Sequence, residues 1–77
     1  MGYGYSMKLF KTNAAADPSL LGVRLGRECI ERDIPVQAVS KALNVSRQTI
    51  YNWFRGDYSP HPKTDRAIHD FLAGLPE

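Results

Sequence analysis

The sequence predicts an all-α fold, a small four-helix domain preceded by a flexible N-terminal arm. Three observations predict it. From residue 17 onward the apolar residues recur every three or four positions, helix-start and helix-stop residues bracket each run, and almost nothing reads as strand. At 77 residues the chain is one domain at most. A domain of that size buries only about 60 % of the surface of its unfolded chain, leaving little room for an enclosed active site beside a core.

Taken in order, residues 1–16 combine Gly2, Gly4, Ser6 and Asn13 with three alanines and show no sustained period, so they read as an N-terminal arm or an appended tail. Met7 could serve as a start, which would make "MGYGYS" dispensable. Asp17 and Pro18 are a helix-start signal, and Leu21, Leu25 and Cys29 recur every four residues, predicting a first helix over 18–32. Pro35 forces the chain out of it, and Val36, Val39 and Leu43 mark a second helix over 36–43. Ser46 is a good N-cap for a third, in which Ile50, Trp53 and Phe54 fall at i, i+3 and i+4. Only Asn44 and Val45 separate these two helices, and Asn tolerates the left-handed conformation of a tight turn. Gly56 suits the helix end, "DYSPHP" is turn-rich, and Ala67, Ile68, Phe71 and Leu72 predict a fourth helix ending at Gly74. The domain therefore spans 17–75.

Composition excludes several function classes. One cysteine, Cys29, rules out an intramolecular disulfide and fits a reducing, cytoplasmic compartment. No stretch is apolar enough for a membrane span, and the N-terminus lacks the order of a signal peptide. His61 and His69 have no Cys neighbour at ligand spacing, and no metal site is expected. "GYG" near the N-terminus is too short for a nucleotide loop. No nucleophile, base and orienting group can be assembled, so neither an enzyme nor a cofactor is expected.

Charge is unevenly distributed within a net +2. Residues 36–56 carry Lys41, Arg47 and Arg55 and no acid, a charge of +3, whereas 57–77 carry Lys63 and Arg66 against Asp57, Asp65, Asp70 and Glu77, a charge of −2. The basic segment contains "NVSRQTIYNWFRG". With Ile50, Trp53 and Phe54 inward, Arg47, Tyr51 and Arg55 form an outward row four residues apart, with Gln48 and Asn52 beside it. These are planar hydrogen-bonding groups: Arg matches the O6/N7 edge of guanine, and Gln or Asn the N6/N7 edge of adenine. A solvated charged face is the plainer alternative.

The run "DIPVQAVSKALNVSRQTIYNWFRG" resembles the helix-turn-helix of the lambda-repressor, Cro and XRE-type DNA-binding family. "LLGVRLGRECIERD" is similar to that family's first helix and "GDYSPHPKTDRAIHDFL" to its loop and fourth helix, so residues 20–72 are covered. The resemblance implies a motif over about 36–55 whose core is Val39, Leu43, Val45, Ile50 and Trp53, with Leu25 beneath it. It implies Arg47, Gln48 and Asn52 as base readers with Tyr51 next, and phosphate contacts at Gln37, Lys41, Ser46, Thr49 and Arg55. Tyr51 could instead shield the helix.

Departures from the family pattern are also visible. Ser40 replaces the usual Ala and Asn44 the usual Gly, while Val36 and Pro35 replace a phosphate-gripping Gln and a cap residue, with Gln37 adjacent as a substitute. Cys29 and Phe54 stand where some relatives carry an Arg–Glu pair; losing both charges together is tolerable where losing one is not. Cys29 is therefore expected to pack against Phe54 as a structural thiol.

The expected function is sequence-specific binding of double-stranded DNA by a small phage or bacterial regulator acting as a homodimer. A second reading makes the chain a protein-binding module that grips a host transcription protein through the same scaffold. Tyr3, Tyr5 and Phe10 could be disordered, pair with another chain or cover the domain.

Overall fold

The computed structural model describes residues 5–75, and every regular element in that span is an α-helix. These are α1 (Met7–Ala15), α2 (Leu21–Glu31), α3 (Val36–Leu43), α4 (Arg47–Arg55) and α5 (Pro62–Ala73). Four of the five correspond to predicted helices; α1 occupies the span expected to be a flexible arm.

Helix α1 corrects that expectation, and its cause is local. The Ser6 hydroxyl accepts from the Leu9 amide at 3.1 Å, so a capped helix begins there. Leu9 and Asn13, one turn apart, are both buried. Asn13 is a core-facing position disguised as a polar one. Its Nδ2 donates to the Val23 carbonyl at 3.1 Å and the Phe54 carbonyl at 2.8 Å, which gives the buried amide partners. At the other end of α1, Arg27 Nη2 donates to the carbonyls of Asn13 and Ala14 at 3.3 and 3.1 Å, and the Asn13 carbonyl also accepts from the Ala16 amide.

The aromatic residues of this segment divide. Tyr5 covers the domain: its hydroxyl donates to the Ile34 carbonyl, and its ring lies 6.0 Å from that of Phe54 at a 47° tilt. Met7 and Phe10 are exposed. Tyr3 and the "GYG" stretch lie outside the described residues. "MGYGYS" thus contains at least two residues, Tyr5 and Ser6, that the helical assembly uses.

The predicted start at Pro18 falls three residues early. Asp17 Oδ1 accepts from the backbone and hydroxyl of Ser19 at 2.9 and 2.8 Å, and the Leu20 amide closes a turn on the Asp17 carbonyl. Asp17 therefore caps a turn, not a helix. The Ser19 backbone bond, then its hydroxyl bond, hold the Asp17 carboxyl below its ordinary range.

Helices α2 and α4 are central, α2 packing against α1, α4 and α5 and α4 against α1, α2 and α3. The closest approach of α2 is to α4, through two glycines one turn apart. A Cβ at Gly22 would sit 2.7 Å from Trp53 Cβ, and one at Gly26 would sit 2.7 Å from Asn13 Nδ2 and 2.8 Å from Phe54 Cγ. Leu25, Cys29, Val39, Ile50, Phe54 and Ile68 are fully enclosed in one core cluster, which also holds Trp53. Leu43 and Val45 are half-buried at its edge. Cys29 and Phe54 share this apolar interior, and burial, then the neighbouring Glu28 charge, push the thiol up to about 12.

Helix α5 starts at Pro62, with the His61 ring nitrogen Nδ1 accepting from the Lys63 amide at 3.1 Å. His61 is thus a cap. Ile68 is enclosed, Phe71 and Leu72 are half-buried, and Ala67 faces solvent, so the inward stripe is narrower than predicted.

Candidate nucleic-acid interface

Two short helices and the turn between them make the site. Asn44 ends α3 at φ 56° and ψ 47°, in the left-handed region, which reverses the chain within two residues. The Ser40 hydroxyl donates to the Val45 carbonyl at 2.6 Å, and the Ser40 carbonyl accepts from the Val45 amide at 3.2 Å. Ser40 therefore closes the turn from both sides, a use for the hydroxyl that Ala would lack. Ser46 then caps α4, its Oγ accepting from the Thr49 amide at 3.2 Å and bonding the Thr49 hydroxyl at 2.9 Å.

Helix α4 is anchored along one side. Ile50, Trp53 and Phe54 are buried, and the Phe54 carbonyl in the last turn is taken by Asn13. Gly56, at φ 80°, turns the chain so that the Asp57 amide returns to the Asn52 carbonyl at 3.0 Å. Each end of the helix thus has capping bonds from within the protein.

The opposite side carries the residues the sequence singled out. Arg47 and Gln48 are exposed, while Tyr51, Asn52 and Arg55 are half-buried. Tyr51 packs against the core cluster, so its ring leans on the domain and does not stand clear. Gln48, Asn52 and Arg55 are joined: Gln48 Nε2 donates to Asn52 Oδ1 at 3.2 Å, and Arg55 Nη2 donates to the same oxygen at 2.6 Å. Arg55 also pairs with Asp57, Nε to Oδ2, at 3.0 Å. That pair offsets one of the three cations of the basic segment.

The candidate phosphate contacts fall in two groups. Ser46 and Thr49 share the first turn of α4, and Gln37 and Lys41 are exposed on α3. The N-cap of α3 is Pro35, which supplies no side-chain cap, and the Ala38 amide closes the first turn on the Pro35 carbonyl at 3.0 Å. Lys41 lies in the last turn of the same helix.

Two participants escaped sequence reasoning. Asp57 has no helical register to reveal it, and its pairing with Arg55 follows only once Gly56 turns the chain. Asn13 is 41 residues from Phe54, and the signal that could have placed it on a helix is Ser6, an N-cap residue type just ahead of it.

Among the described residues no group of three or more His, Cys, Asp or Glu could hold a metal ion, and no helix is long and apolar enough to cross a membrane. Comparison with curated proteins and with solved structures finds no match. A helix-turn-helix family model matches residues 23–73, which runs from early α2 to the end of α5 and leaves α1 outside. With the α3–turn–α4 geometry and the match over most of its length, the chain belongs to the Cro- and XRE-type helix-turn-helix family, a family of DNA-binding domains.

Proposed function

We propose that this protein is a sequence-specific regulator of transcription that binds double-stranded DNA, with α4 entering the major groove. One observation carries the reading: Arg47, Gln48 and Asn52 share the outer side of a helix whose inner side is locked into the core by Ile50, Trp53 and Phe54. A major groove admits one helix, and rigid support keeps base-reading side chains in register. Phosphate contacts come from Gln37, Lys41, Ser46 and Thr49. Arg55 serves less directly, because Asp57 already holds it.

One nine-residue helix reads few base pairs. Specificity therefore calls for a homodimer on a palindrome with half-sites about one helical turn apart. The setting is a phage or bacterial cytoplasm, and regulation is steric, by occupying an operator against polymerase.

A second reading is favoured by the uncapped, uncharged start of α3 and by the neutralised Arg55. Here the same surface grips a host transcription protein. Selection of a randomised duplex library, with Arg47→Ala and Gln48→Ala beside the parent at two salt concentrations, separates the two. A palindromic consensus degraded by each substitution at particular positions supports the regulator; no enriched sequence favours the protein partner.

A further inference from the structure

We infer that Arg55 sets the hydrogen-bonding polarity of the α4 outer face, so that Asn52 presents only N–H donors to the groove and selects guanine over adenine. The inference rests on the DNA-binding reading and adds a base preference that residue types alone do not supply.

The polarity begins at Asp57. Gly56 turns the chain back, Asp57 Oδ2 takes Arg55 Nε, and the guanidinium is held over the end of α4 with Nη2 2.6 Å from Asn52 Oδ1. A guanidinium has donors and no acceptor. Asn52 must therefore turn its oxygen to Arg55, because the flipped amide would set N–H against N–H. Gln48 meets the same oxygen at 3.2 Å and must meet it with Nε2. The two lone pairs of Asn52 Oδ1 are then both engaged.

What remains outward follows by subtraction. Asn52 keeps its Nδ2 hydrogens, while Gln48 keeps Oε1 and one N–H. Adenine offers an acceptor at N7 and a donor at N6, so a carboxamide matches it only with a free oxygen beside its N–H. Gln48 meets that requirement and Asn52 does not. Guanine N7 and O6 both accept and give a donor-only amide two partners, whereas adenine N7 and thymine O4 give it one each and cytosine N4 only donates. Two carboxamides one turn apart are thus made to prefer different bases by one ion pair.

The test is selection from a randomised duplex library with the full chain and with Asn52→Ala, Gln48→Ala, Arg55→Met and Asp57→Ala. The position read by Asn52 is the one that Asn52→Ala flattens. The parent should enrich guanine over adenine there by up to about fivefold, the scale of a partly exposed ion pair. Arg55→Met frees the amide to flip and should raise adenine to parity, with Asp57→Ala moving it the same way. Adenine preference at the Gln48 position should persist in both. Adenine favoured by the parent at the Asn52 position, an unchanged profile in Arg55→Met, or no position flattened by Asn52→Ala overturns the inference and leaves DNA binding standing. Absence of any enriched sequence with the parent overturns the DNA-binding reading, and this inference with it.

Discussion

The side-chain amide of Asn13 donates to the main-chain carbonyl of Phe54 at 2.8 Å, which fastens the N-terminal helix to the last turn of α4. The same nitrogen serves the Val23 carbonyl. Replacing Asn13 by Ala leaves two enclosed carbonyls without that donor. A loss of about 1–3 kcal/mol is expected, seen as a lower urea midpoint at constant m-value. A change within about 0.5 kcal/mol, as at an ordinary surface site, would show that α1 does not support the domain.

Gly22 tests the helix contact from the other side. In a helix interior Gly→Ala normally stabilises by up to about 1 kcal/mol. Here the added Cβ would meet Trp53 Cβ at 2.7 Å and the Trp53 carbonyl oxygen at 3.0 Å, and a backbone atom cannot swing away. Gly22→Ala should therefore destabilise by about 1–3 kcal/mol. Gly74→Ala, whose Cβ would meet nothing closer than 3.5 Å, is the control and should stay within about 0.5 kcal/mol of the parent in the same thermal melts.

Stability should fall at alkaline pH through the buried Cys29 and the half-buried Tyr5. Burial pushes the Cys29 thiol from about 9 up to about 12, and burial first, then the neighbouring Cys29, Tyr51 and Asp33, raises the Tyr5 phenol. Both folded values lie above the unfolded ones. The contribution is complete below about pH 9; above it the unfolded chain loses protons that the folded chain keeps, and stability declines. Chemical denaturation from pH 7 to 11 should show a plateau and then a fall, with a shallower fall for Tyr5→Phe. A flat profile through pH 11 would contradict the enclosure of both groups. The Cys29 thiol should also resist disulfide-exchange reagents until the protein unfolds.

Salt dependence distinguishes free from neutralised cations on the proposed DNA surface. Lys41→Ala should weaken binding to all sequences alike and lower the log–log salt slope by about 1. Arg55→Ala should lower it by less, because Asp57 already offsets that charge. Equal losses from both, measured by titration of a fixed duplex over a range of salt, would mean that the Arg55–Asp57 pair opens on binding.

The α3–turn–α4 unit was legible because each of its signals is local. Val36 and Leu43 bound α3, Asn44 adopts the left-handed turn, Ser46 caps α4, and Gly56 ends it, all as the residue types imply. Helix α1 was illegible because its inward stripe has one apolar residue, Leu9, and one amide, Asn13. A hydrophobicity pattern cannot score an asparagine whose partners are carbonyls on two other helices. Asp17 misled for the opposite reason: the same carboxylate geometry suits a turn or a helix start, and Ser19 claimed it for the turn.

By itself the sequence determined the helical class, the placement of the motif and the division of α4 into an apolar side and a polar side. Those properties follow from the 3.6-residue period and from capping chemistry between residues a few positions apart. Tertiary structure decided that residues 7–15 join the core, that Gly22 and Gly26 bring α2 against α4, and that the amide of Asn13 turns its N–H groups to the Val23 and Phe54 carbonyls. Each of these depends on which groups meet once the chain has folded back on itself, and a side chain's donor or acceptor face is chosen by its neighbour in space.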